Sequence, residues 1–201
     1  IYMNIAVLCS GHGTNLQAII DSVKSGYLPV KIALVISDRR AAHALARARE
    51  AGIDTVSLSA KDFASREKFD KEVIKNLKKK KVELVVLAGY MRLISPHFVR
   101  EYRNRIMNIH PALLPSFKGS HGIKDALVHG AKVTGVTVHF VNEDLDDGPI
   151  ILQRPVDIKD DDDEETLLER IHKEEHRIYP EAIRLFALGR LNIDGRRVRI
   201  R

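Results

Sequence analysis

Apolar and polar positions alternate in blocks through the first half of the chain. Ile5–Cys9, Ile32–Ile36 and the β-branched run Val82–Leu87 (VELVVL) are short and largely apolar, as strands buried on both faces are. Between them lie stretches with apolar residues at helical spacing: Leu16, Ile19, Ile20 and Val23 in Leu16–Val23, and Phe69, Val73, Ile74 and Leu77 in Arg66–Leu77. Ala41–Ala51 reads as an Ala/Arg-rich helix stopped by Gly52, and Thr55–Leu58 as a short strand. Strand–helix alternation of this kind predicts a parallel sheet covered by helices.

The second half changes character. Pro96–Tyr102 has room for a short helix at most, and Ile106–Ile109 for a brief strand. Residues 111–122 (PALLPSFKGSHG) are rich in Pro and Gly and predict a long loop, followed by a short helix over Ile123–His129. Val133–Val141 alternates as a strand does, and Ile150–Val156 is its antiparallel return. Glu164–Leu188 predicts a long helix with Leu168, Ile171, Ile178, Ala182 and Leu185 on one stripe. The acidic run Asp160–Asp163 ahead of it suits the positive end of the helix dipole, and it lacks the Gly and Glu spacing of a calcium loop. The tail predicts two short strands around an Asp194–Gly195 turn. The expected fold is α/β and doubly wound, with a mostly parallel sheet and an antiparallel C-terminal portion.

Composition narrows the class. The 201 residues suit one domain, 1–201, with halves dividing near residue 100. With 44% hydrophobic and 30% charged residues the chain is globular, and no apolar run approaches the ~20 residues of a membrane span. The apolar start is too short for a signal peptide, and the single cysteine, Cys9, forms no internal disulfide, so a cytoplasmic setting is expected. The net charge of +6 is spread along the chain. Its one dense run, Lys78–Lys81, reads as a solvated helix end, so neither nucleic acid nor membrane is an expected partner. Such charge also draws in anionic small molecules. His110, His121, His129 and His139 lack a metal-binding spacing, and no metal is expected.

Two segments carry chemistry. Ser10-Gly11-His12-Gly13-Thr14-Asn15 joins the first strand to the first helix. Glycines there let backbone N–H groups approach an anion at a helix N-terminus, and Thr14 and Asn15 add donors. Leu16 stands where a dinucleotide fingerprint needs its third glycine, although Asp38 sits where a ribose-binding acid would fall. Asn108-Ile109-His110-Pro111 lies at the C-terminal end of a strand, where open α/β sheets bind ligands. Alternation puts Asn108 and His110 on one side. The amide can donate to a developing oxyanion and the imidazole can pass protons. Asp146, just ahead of Gly148-Pro149, is the candidate to stabilise the imidazolium.

Five segments then bear a resemblance: SGHGTNLQAII (Ser10–Ile20), VVLAGYMRLIS (Val85–Ser95), NIHPALLPSFKG (Asn108–Gly119), TVHFVNEDLDDGPII (Thr137–Ile151) and EEHRIYPEAI (Glu174–Ile183). In order and spacing they resemble the phosphoribosylglycinamide formyltransferase family of purine synthesis, whose fold is Rossmann-related. The resemblance implies an enzyme that takes glycinamide ribonucleotide as substrate and 10-formyltetrahydrofolate as co-substrate, acting as a monomer or homodimer. It implies Asn108, His110 and Asp146 as the catalytic trio. It assigns Gly13, Thr14, Asn15, Gly89, Ile109 and Glu175 to the substrate. Arg66, Met91, Arg92, Leu93, Ile94, Val141, Asn142 and Asp144, with Asn108 and Asp146, fall to the folate. The chain departs from the family pattern at Ser120-His121-Gly122 and at Asp147, where glycine is common.

Overall fold

Met3–Cys9 (β1) and Val30–Ser37 (β2) form the spine of the first half, and Ile5–Cys9 are all at most 1% exposed. In the computed structural model, which describes residues 2–201, the chain divides into a unit ending at Met107 and a unit Asn108–Arg201. The first continues through Thr14–Lys24 (α1), His43–Glu50 (α2), Thr55–Ser57 (β3), Arg66–Lys79 (α3), Leu84–Leu87 (β4) and Pro96–Glu101 (α4). Its strand order is β3-β2-β1-β4, with every pair parallel. Ser65 caps α3 by accepting from Lys68 N–H. Ser95 does the same for α4 through Phe98 N–H, with Pro96 in the first turn where its missing donor costs nothing.

Ile106–His110 (β5) crosses the boundary between the units. The second unit adds Gly122–Val128 (α5), Val133–Phe140 (β6), Ile150–Asp157 (β7), Glu164–Ala187 (α6), Leu191–Asp194 (β8) and Arg197–Ile200 (β9), in strand order β5-β6-β7-β9-β8. β6 and β7 are antiparallel, as are β8 and β9, while β7 and β9 run parallel. The expected mostly parallel sheet with an antiparallel C-terminal portion is therefore what forms. Asp163 caps α6 in a reciprocal box with Thr166, and Asp162 pairs with Arg170, so the acidic run does serve the helix start.

Three expectations need correction. Leu167, not Leu168, is the buried first residue of the α6 stripe. The tail turn lies one residue later than expected, over Gly195–Arg196, because Gly195 supplies the left-handed conformation (φ +57°) and Asp194 stays paired with Arg197. Helix and strand ends also differ by one or two residues in both directions: β4 begins at Leu84, not Val82, while β1 begins at Met3, not Ile5.

Candidate functional site

Asn108 and His110 project from β5 on the same side, as the period of two requires. β5 ends where Pro111 follows, and the chain then runs without helix or strand to Gly122. Asp146 arrives from the loop after β6. It sits in the left-handed region (φ +48°), a conformation aspartate tolerates better than most residues. Gly148 secures this loop, since a Cβ there would lie 1.7 Å from Phe140 O. The Asp146 Oδ2 atom stands 3.4 Å from His110 Nδ1, with both side chains at most 8% exposed. The loop residue Gly119 donates its N–H to the same oxygen at 2.8 Å.

On the other side of the ring, His110 Nε2 lies 2.7 Å from Phe117 O. Both ring nitrogens therefore face oxygens, Nδ1 the Asp146 carboxylate and Nε2 the Phe117 carbonyl. A second histidine joins the group. His139, on β6, is 2% exposed and lies 3.8 Å from Asp146 Oδ1 through Nε2. Its Nδ1 donates to Phe140 O at 2.9 Å, leaving Nε2 to accept from Asn108 Nδ2 at 3.4 Å. Burial, the largest influence, pushes the His139 pKa down and keeps the ring neutral. His139 thus orients the Asn108 amide. The structure brings the three expected residues into one cluster around Asp146 and adds a fourth. His139 was missed as a site residue, though a signal existed: Thr134, Thr137 and His139 are polar positions in a strand otherwise built for burial, and buried polar groups demand partners.

The glycine loop belongs to the first unit. Gly13 has φ +76°, and a Cβ there would meet Ala44 Cβ at 2.6 Å, so only glycine fits. The carbonyls of Gly11 and His12 accept from Ala44 N and Arg47 Nε, which pins the loop to α2. No side chain caps α1. Thr14 and Asn15 occupy its first turn and are half-buried. Asp38 commits its carboxylate to the Ser10 hydroxyl at 2.6 Å rather than to a sugar. Ser10 in turn accepts from Met91 N–H at 2.9 Å and donates its own N–H to Gly89 O. The segment from Ala88 to Ser95 follows β4 without helix or strand, and it exposes Met91 (65%) and Leu93 (58%). The Arg92 guanidinium lies 4.6 Å over the Phe69 ring, and Arg66 is exposed at the start of α3.

The remaining residues divide as follows. Ile109 is buried on β5. Val141 and Asn142 are half-buried beyond β6, and the Asn142 side chain turns the loop by accepting from Asp144 N–H. Glu175, for which the helical pattern allowed either solvent or a cleft, is 6% exposed on α6 with His172 Nε2 at 3.9 Å. Among the described residues, no group of three or more His, Cys, Asp or Glu side chains is arranged to hold a metal ion.

The model of the formyl transferase family matches residues 3–183. The chain belongs to the formyl transferase family. Among its formyl transferase relatives, it is 45% identical to the Escherichia coli phosphoribosylglycinamide formyltransferase, over 98% of this chain and 96% of that one. A crystal structure of glycinamide ribonucleotide transformylase 1 from Symbiobacterium toebii superposes with a TM-score of 0.98 at 53% identity, covering 99% of this chain and 94% of that one. The trifunctional purine biosynthetic protein adenosine-3 of Drosophila melanogaster is 49% identical over 92% of this chain, which spans only 14% of that protein's length.

Proposed function

We propose that the chain transfers the formyl group of 10-formyltetrahydrofolate to the amine of glycinamide ribonucleotide, a step of purine synthesis. The observation that carries the reading is the convergence of Asn108, His110 and Asp146, with His139 aiming the amide. Acyl transfer to an amine needs a donor for the oxyanion and an acid for the departing nitrogen. Asn108 Nδ2 supplies the first. The imidazolium of His110, held by Asp146, supplies the second once Phe117 O releases its Nε2. An oxyanion donor contributes about a hundred- to thousandfold in rate, and general acid help about a hundred- to ten-thousandfold.

The other ligand residues fit the two substrates. The Gly13 turn and the uncapped start of α1, with Thr14 and Asn15, suit the phosphate, and Gly89, Ile109 and Glu175 the ribose and glycinamide. Exposed Met91 and Leu93, with Ile94, Val141 and the Asn142–Asp144 turn, offer apolar and backbone surface to a flat heterocycle, while Arg66 and Arg92 suit the folate carboxylates. Residues 1–201 are read as one formyltransferase domain, with the phosphate-binding half first and the catalytic half second. The partners are small molecules, and the protein acts as a monomer or homodimer. The reducing cytoplasm suits the buried, unpaired Cys9. Among the described residues, no helix is long and apolar enough to cross a membrane.

The test is direct. The protein is mixed with 10-formyltetrahydrofolate and glycinamide ribonucleotide, and mass spectrometry follows both products. Formylglycinamide ribonucleotide should appear in equal amount with tetrahydrofolate. Tetrahydrofolate released with free formate, in the absence of the formylated amine, would make the protein a hydrolase.

A further inference from the structure

The segment from Ala88 to Ser95 has no regular structure, yet both ends are fastened. Near one end Ser10 donates its N–H to Gly89 O and links Met91 N–H to the Asp38 carboxylate. At the other, Ser95 donates its N–H to Asp70 Oδ2 at 2.6 Å, across 25 positions of sequence. Asp70 sits on the buried face of α3 beside Phe69, and it is 1% exposed. Burial works against its charge, and the Ser95 hydrogen bonds and the Arg66 and Arg92 charges work for it. A buried carboxylate on the helix face of Val73, Ile74 and Leu77 is costly unless it is hydrogen-bonded, and the Ser95 amide supplies that bond. Its neighbour Phe69 supports Arg92 from below and packs edge-on against Phe63 at 5.4 Å. The two fastenings leave Met91 and Leu93 displayed to solvent on a strap whose ends are fixed.

We propose that Asp70 is a positioning residue for the formyl carrier. By holding Ser95, it sets the 88–95 strap in the shape that receives the folate. The proposal rests on the reading of this strap as folate-facing. It adds a residue on another element, acting through its bond to Ser95.

The experiment compares the wild-type protein with Asp70→Ala and Asp70→Asn. Initial rates are measured against each substrate with the other saturating. Wild-type turnover is read first, since its absence defeats the function proposed above and says nothing of Asp70. Asp70→Ala should raise the KM for 10-formyltetrahydrofolate about tenfold or more, the scale of a lost bond to a charged acceptor, and leave the KM for glycinamide ribonucleotide within about twofold. Asp70→Asn keeps an oxygen for the Ser95 N–H and should restore the carrier KM to within about threefold of wild type. Equal rises in both KM values, no rise in either, or an Asn variant as impaired as the Ala variant would overturn the proposal. Should Asp70→Ala fail to fold, amide hydrogen exchange in the wild-type protein decides. The Ser95 amide should exchange at least about tenfold more slowly than that of Leu93, and tetrahydrofolate should slow exchange across 88–95 further. An unprotected Ser95 amide, or a strap indifferent to tetrahydrofolate, would overturn it.

Discussion

Two irregular segments, residues 88–95 and the loop after β5, are held in opposite ways. The 88–95 strap is anchored through Ser10 and Asp70, both at most 2% exposed. The loop after β5 is held by buried bonds at its start. There Leu114 N–H donates to Thr137 Oγ1, Thr137 donates to Ala112 O, and Gln153 donates to Leu114 O. From Ser116 onward the loop rests on the site itself: Phe117 O on His110, Gly119 N–H on Asp146, and an exposed pair between Lys118 and Asp147 at 2.6 Å. Buried bonds to side chains outside the proposed chemistry give a fixed surface. Bonds to the very groups that must work, together with a screened ion pair, give a tip that can let go. His110 Nε2 cannot serve Phe117 O and a leaving nitrogen at once, so the proposed role of His110 calls for the tip to move.

The contrast can be broken at several points, the largest effect first. Asp146→Ala removes the carboxylate that faces both histidines and the Gly119 amide, and kcat should fall by at least about a hundredfold. Near-normal turnover at saturating substrates would remove Asp146 from the chemistry. Gly13→Ala forces a side chain into Ala44 and costs about 1–3 kcal/mol in stability or conformation. The KM for glycinamide ribonucleotide should rise at least about tenfold while the carrier KM holds, and parallel losses in both would deny the loop its phosphate role. Thr14→Ala should act in the same direction, more weakly.

Smaller effects probe the loop tip. Asp147 also takes Arg196 at 2.9 Å, and hydrogen bonds from Lys118 first and Arg196 second hold its pKa down at about 2. Asp147→Ala should change kcat about two- to fivefold, and the difference from wild type should shrink at high salt, because exposed pairs are screened. A salt-independent change would mean that the clasp acts by shape. The smallest expected effect is on stability against pH. The His139 pKa is lowered by burial, so the unfolded chain takes up its proton first as pH falls below about 6.5. Stability is then full above that pH and declines below it, by at most about 1.4 kcal/mol per pH unit from this group. His172 and His176 shift the same way and steepen the decline. Urea unfolding of wild type and His139→Asn at pH 7 and pH 5.5 should show a shallower acid loss in the variant.

Local signals made part of this legible in the sequence. The glycine turn, the Asn-x-His spacing at a strand end and the stripe of α6 are short-range patterns, and the structure keeps them. Asp146 was legible as a turn residue near a strand, but its meeting with His110 depends on a left-handed backbone and on the space under Phe140 that Gly148 leaves. His139 and Asp70 read as one polar residue in a strand and one charged residue in a helix; their roles come from bonds across 31 and 25 positions, which no local pattern encodes. The set proposed for the folate rests on family resemblance alone, because an exposed methionine or arginine carries no chemistry of its own.

The central claim is that an amide aimed by His139 stabilises the negative charge that develops on the oxygen of the formyl group being transferred. Asn108→Ala tests it most directly, in a single-turnover measurement with both substrates saturating. The account predicts a transfer step slowed by at least about a hundredfold once both ligands are bound. A transfer rate within about threefold of wild type, well inside the scale of one oxyanion donor, would contradict it.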